Sequence, residues 1–121
     1  MKYMLLIYHD ENTWSSHTEA ERQQIYLEYR QLIERLKEEG KYLFGDQLQA
    51  SAAGSTVQVR DRKTLLTDGP FAETREQIGG FFMIEAADLD EARTIAAQIP
   101  SARQGTIEIR PVVPATEAAG A

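Results

Sequence analysis

The run DGPFAETREQIGGFFMIEA, residues 68 to 86, concentrates the side chains of this chain best suited to chemistry. Asp68 follows the apolar Leu65 and Leu66 and precedes Gly69, Pro70 and Phe71, a turn suited to hold a carboxylate against an apolar wall. Desolvation in such a place raises a carboxyl's pKa toward that of a working base. The alternative is architectural, because an Asp before Gly commonly accepts hydrogen bonds from its own turn. Gly69 precedes a proline, which favours extended backbone, so its identity is expected to reflect close approach of another segment or a ligand. Arg75 can pair with Asp68 or a substrate carboxylate, or belong to a surface ion pair beside Glu73 and Glu76. His9, at the end of the first apolar run, is a second candidate base, or else an exposed loop histidine among acids. Trp14 with Tyr8 and Tyr26, together with Phe71, offers surface for a planar ligand or for the core.

Other chemistries are excluded by what is missing. There is no cysteine, so disulfides, thiolate nucleophiles and Cys-ligated metals are ruled out. His9 and His17 show neither i, i+4 nor HxH spacing, and no metal site is expected. No Ser/His/Asp order, phosphate-binding glycine loop or dinucleotide fingerprint occurs, so no cofactor is expected. Thirteen Lys and Arg against nineteen Asp and Glu give a net charge of −6. That is the wrong sign for neutralising nucleic acid or an anionic membrane. The opening MKYMLLIYHDE meets acidic residues too soon for a signal peptide or a membrane span. The mature chain is expected to begin at Met1, and a cytoplasmic location agrees with the absence of cysteine.

Positioning those groups falls to elements legible from periodicity. Tyr3 to Tyr8 is an unbroken apolar run of strand length. Thr18 and Glu21 have capping-box spacing before Ile25, Tyr29, Leu32, Ile33 and Leu36, and Gly40 supplies a stop. Tyr42 to Leu48 reads as a weaker strand and Ala50 to Ser55 as a loop. Val57 and Val59, then Leu65 and Leu66, flank the polar turn Asp61, Arg62 and Lys63 as a hairpin. Phe81 to Ile84 forms a central strand, and Asp88 with Glu91 caps a second helix carrying Ala92, Ile95, Ala96 and Ile99, which Pro100 ends. Thr106 to Arg110 alternates as a strand, with Pro111 pointing to a sheet edge or a chain exit. With 121 residues the chain fits one domain, 1–113, followed by a disordered tail, 114–121. The order of elements predicts an α+β fold: a ferredoxin-like βαββαβ unit with an extra hairpin, its antiparallel sheet carrying two helices on one face.

That architecture leaves a surface to explain. Tyr3, Leu5 and Ile7 point to one side of the sheet and Met4, Leu6 and Tyr8 to the other, so both sides are apolar. Two short helices cover one face. Leaving the other in water costs roughly 1.5–3 kcal/mol for each large side chain. A symmetric partner is the economical cover, which predicts a homodimer. The alternative is a monomer in which Ala50 to Ser55 and the tail fold over the sheet.

The segments KYMLLIY, DGPFAETREQIGG and IPSARQGTIEIRPV, in that order over Lys2 to Val112, resemble the YCII-related family and specifically its DGPF-domain branch. The resemblance implies a dimeric α+β barrel with a cleft between helices and sheet or near the dimer seam. It implies a His and Asp pair for acid–base chemistry in related members, some of which resemble lyases acting on substituted aromatic rings. It also implies a functional link to an extracytoplasmic-function sigma factor. Carried over, the acidic position falls on Asp68. The histidine position, eleven residues before the helix-ending glycine, falls on Tyr29. A phenol with a pKa near 10 donates a hydrogen bond but is no neutral-pH base, and it could act as an acid only if that pKa were lowered. Two readings follow. One is a small ligand-binding or regulatory dimer. The other is a cofactor-free enzyme moving a proton on a small aromatic or carbonyl substrate, with Asp68 as base or orienter, Tyr29 or His9 as its partner and Arg75 holding an anion.

Overall fold

The structure, a computed structural model, describes residues 1–118. Strand β1 (Lys2–His9) is followed by a short helix α1 (Glu11–Ser16) and the long helix α2 (Glu19–Glu38). Then come β2 (Tyr42–Gln47), the hairpin β3 (Ser55–Arg60) and β4 (Lys63–Asp68), and β5 (Gln77–Glu85). Helix α3 (Leu89–Ala97), a 3-10 turn (Pro100–Arg103), β6 (Thr106–Pro111) and a last helical turn α4 (Ala115–Ala118) complete the order. Four strands form one antiparallel sheet in the order β2-β5-β1-β6, while β3 and β4 pair only with each other. With the hairpin set aside, this is the ferredoxin-like strand order. β6 lies at an edge, as Pro111 requires, since a proline has no N–H to give to a further strand.

Local chemistry explains the helices. The Thr18 hydroxyl accepts from the Glu21 N–H at 3.1 Å and the Glu21 carboxylate accepts from the Thr18 N–H at 2.9 Å, a complete capping box. Asp88 caps α3 by accepting from the Glu91 N–H at 2.8 Å, and the Glu91 carboxylate reaches back to the Ala87 N–H. Helix α1 was not foreseen from the sequence. It has six residues and no buried one, so no apolar period announces it; its signal is Asp10, whose side chain accepts from the Asn12 N–H.

The core lies between the sheet and the two longer helices. Tyr3, Leu5 and Ile7 of β1 and Phe82 and Ile84 of β5 meet Leu32 and Leu36 of α2 and Ala92, Ile95 and Ala96 of α3, with Ile99 closing one end. No polar or charged side chain is buried among the described residues. The opposite face carries Met4, Leu6, Tyr8, Phe81 and Met83, all half-exposed, and Phe44, which is 53% exposed. At its β6 edge the Tyr8 hydroxyl donates to Glu108 at 3.0 Å, and Glu108 also accepts from Arg110. The Ala50–Ser55 loop is tied instead to α1, through the Ser51 N–H and hydroxyl, which donate to the Glu11 carboxylate at 2.7 and 3.0 Å. The tail begins with the turn α4, and the remainder of the disorder expected over 114–121 lies outside the described residues.

Two backbone findings bear on the hairpin. Asp61 and Arg62 both have positive φ, 49° and 65°, the geometry of a tight two-residue turn matched to strand twist. Gly69 has φ 91°, and a Cβ there would meet nothing within 4 Å. The expectation of extended backbone pressed by a neighbour is therefore corrected: this residue is glycine because its φ is positive.

Leu36 is 1% exposed, so Leu36→Ala is expected to lower unfolding free energy by about 2–5 kcal/mol in a urea titration. Thr18→Ala, which removes only a cap, is expected to cost about 1 kcal/mol by the same measurement.

Candidate functional site

A cavity of about 170 Å³ opens between α2 and the sheet, near the end where β1 finishes and β5 begins. An apolar space of about 150 Å³ is large enough to admit a benzene ring. Tyr26, Tyr29 and Ile33 descend from α2, Phe82 and Ile7 rise from the sheet, Tyr42 stands on β2, and Trp14 of α1 flanks the space. The aromatic rings meet edge to face: Tyr42 and Phe82 with centroids 5.2 Å apart, Trp14 and Tyr26 at 5.6 Å, Tyr29 and Phe82 at 6.1 Å. Each such contact contributes about 0.5–1.5 kcal/mol beyond burial, so the wall is firm without filling the middle.

The floor is open because three of its residues have no side chain. A Cβ at Gly45 would lie 2.5 Å from the Phe81 carbonyl and 2.8 Å from the Tyr42 hydroxyl. One at Gly80 would lie 2.8 Å from the Asp46 carbonyl. Gly79 is the extra residue of a bulge, since Ile7 pairs with Gly80 and Tyr8 with Ile78. The His9 imidazole uses the room this leaves, for a Cβ at Gly79 would sit 2.5 Å from its Nε2. The first glycine of the pair that stands out in the sequence thus seats a histidine.

The polar groups are few and mostly neutral. The Tyr29 hydroxyl shares a 2.6 Å hydrogen bond with Ser101 Oγ, and burial pushes its pKa up despite that bond, so it is a phenol at neutral pH. The condition for Tyr29 to act as an acid, a lowered pKa, is therefore not met. The Tyr26 hydroxyl accepts from Gln47 Nε2 at 3.2 Å. Burial, and secondly the Asp46 charge, push the Tyr42 phenol up as well. The His9 ring is half-buried, lies 6.1 Å from Trp14 and takes no hydrogen bond among the described residues. Past Trp14 a smaller space of about 70 Å³ continues, sharing His9, Trp14 and Ser101 and adding Arg103, whose guanidinium is held by Glu28. His17 meets Trp14 edge to face at 5.8 Å, and its Nδ1 lies 3.4 Å from the Glu21 carboxylate.

Of the residues singled out by the sequence, His9, Tyr29 and Trp14 come together at this cavity, and Asp68, Phe71 and Arg75 do not. Asp68 ends β4 in an exposed position opposite Ser55. Its turn is held by backbone, the Gly69 N–H donating to the Gly54 carbonyl at 2.7 Å, so neither an apolar wall nor a self-capped turn describes it. Phe71 is 81% exposed and borders a separate open groove between the hairpin root and the sheet. Arg75 is exposed and joins no ion pair among the described residues. The sequence offered no signal for Ser101, Tyr42 or Gln47, since a contact such as Tyr29–Ser101 spans 72 positions. Among the described residues no group of three or more His, Cys, Asp or Glu side chains could hold a metal, and no helix is long and apolar enough to cross a membrane.

The YCII-related domain family model matches residues 1–116. An uncharacterized protein of Rhizobium meliloti (strain 1021) is 33% identical over 114 residues, covering 93% of this chain and 92% of the relative.

Gly79→Ala must drive the imidazole from its seat, so the His9 ring resonances in an NMR spectrum are expected to move while those of His17 stay in place. The raised Tyr29 pKa makes its contribution to stability complete below the ordinary phenol value of about 10 and lost as pH rises through the higher folded value. Between those two values, melting temperatures are expected to fall more steeply with pH for the parent protein than for Tyr29→Phe.

Proposed function

We propose that this chain, which belongs to the YCII-related domain family, is a homodimeric binding protein for a small, planar, uncharged molecule taken between α2 and the sheet. One observation carries the reading. A space of single-ring size is walled by Trp14, Tyr26, Tyr29, Tyr42 and Phe82 and floored by glycines whose Cβ atoms would collide with backbone or His9. Ligand sites are characteristically apolar with a few placed polar groups, here the Tyr29–Ser101 hydroxyl pair and His9. Among the described residues no Lys or Arg lines the cavity, which favours a neutral ligand over a carboxylate.

The dimer is supported by the uncovered sheet face. Six large side chains, Met4, Leu6, Tyr8, Phe44, Phe81 and Met83, share it, and a second copy would cover them all by a twofold. A regulatory role beside a sigma factor, and membership of the DGPF branch, rest on the DGPF turn and its resemblance.

A second reading, cofactor-free proton transfer on the bound molecule, is favoured by His9. Its imidazole has no other hydrogen-bond partner among the described residues and shares the cavity with a protonated Tyr29. Asp68 has no place in that reading as base, being outside the cavity.

Trp14 is the sole tryptophan, so its fluorescence reports on the cavity. Titration with phenol, catechol and benzoate is expected to give saturable quenching by the two neutral rings, weakened about tenfold or more by the cavity-filling Ile33→Phe. Quenching that is linear, or indifferent to Ile33→Phe, would overturn the binding reading. Sedimentation is expected to give twice 13.6 kDa. Deuterium exchange into the bound ring, lost in His9→Gln while binding persists, would establish the second reading; its absence in the parent protein would dismiss it.

A further inference from the structure

The β3–β4 hairpin stands apart from the fold it belongs to. It pairs with no strand of the main sheet. Every residue of β4 is exposed, and Val57, Val59 and Leu66 are 60%, 59% and 75% exposed. Val57 is directly opposite Leu66, and Val59 is opposite Thr64, so these side chains form one stripe on one face of the ribbon. An isolated two-stranded ribbon is marginal in water at best, and an apolar stripe on it is a surface awaiting cover.

We infer that the hairpin is an arm that packs its Val57, Val59 and Leu66 stripe against a second copy of this chain, an inference that rests on the dimer reading and adds to it the element that grips. Two observations select that occupant. Charge favours a copy of itself: residues 55–68 hold Arg60, Arg62 and Lys63 against Asp61 and Asp68, a net +1, within a chain of net −6, which leaves −7 for the body that the arm would meet. The tip concentrates three of those cations beside the turn, where Arg62 occupies a left-handed position that glycine normally fills, so the charge is kept at the expense of backbone comfort. Two such arms, exchanged about a twofold, would add their apolar stripes to the open sheet faces and make the contact reciprocal.

The test compares the parent with the double variant Val57→Glu/Leu66→Glu and the control Leu89→Glu, which lies on α3 and away from the hairpin. Sedimentation equilibrium is expected to show a dimer dissociation constant raised about a hundredfold or more in the double variant and unchanged in the control, with far-UV circular dichroism unaltered. Because the chain has no cysteine, a benzophenone attached to Leu66→Cys marks one position alone. In mixed ¹⁴N/¹⁵N dimers its photo-cross-links are expected between protomers. A parent dimer whose affinity ignores the double variant, with cross-links only inside one protomer, would overturn the arm and leave the sheet-face dimer standing. A parent protein that is monomeric throughout would overturn both.

Discussion

The distance between α2 and the sheet is set once and obeyed everywhere along the helix. Leu32 and Leu36 on one side, with Leu5, Phe82 and Ile84 on the other, fix it where the packing is dense. A helix of 20 residues is about 30 Å long and stiff, so the same spacing persists beyond the packed end. There the strands present Gly45, Gly79 and Gly80. Helix and backbone cannot collapse onto each other without disturbing the core, and the glycines have nothing to project. A void is the consequence, and it exists because of packing elsewhere.

The hydroxyl pair of Tyr29 and Ser101 fits the same account. Ser101 belongs to the 3-10 turn that Pro100 starts after α3, and the 2.6 Å bond links that turn to the middle of α2. It satisfies a phenol that burial would otherwise penalise, while tying the 3-10 turn to α2 beside the cavity. Glu11 plays a comparable part on the other side. Its carboxylate takes two bonds from Ser51 and its N–H donates to Gln77, so α1, and Trp14 with it, is hung from the loop and from the start of β5. Neither link depends on the residues of the DGPF turn.

What the sequence revealed and what it hid divide along a physical line. β1, β5, α2 and α3 were legible because alternation, apolar faces and the Thr18–Glu21 and Asp88–Glu91 spacings are local facts. The hairpin was legible because its turn residues are. Helix α1 was not, having no apolar stripe of its own. The cavity was hidden more deeply: it is built from missing side chains on two strands and from a pair of hydroxyls 72 positions apart. Asp68 drew notice as a carboxylate beside leucines, yet Leu66 is itself exposed, so the neighbours along the chain supply no apolar surroundings. His9 and Trp14 were noticed as types, but only the fold shows that Gly79 admits one and α1 delivers the other.

The site is therefore composed of two materials with different freedom to vary. Its lower half is main chain, where any β-carbon would strike a carbonyl oxygen, a phenol or an imidazole. Its upper half is side chains on α1 and α2, where an exchange of one ring for another alters shape and leaves the ladder of strands intact. Under the proposed binding role, relatives that take different small molecules are expected to share the bare strands and differ along positions 14, 26, 29 and 33, so that selectivity drifts on the helices over a foundation that stays put.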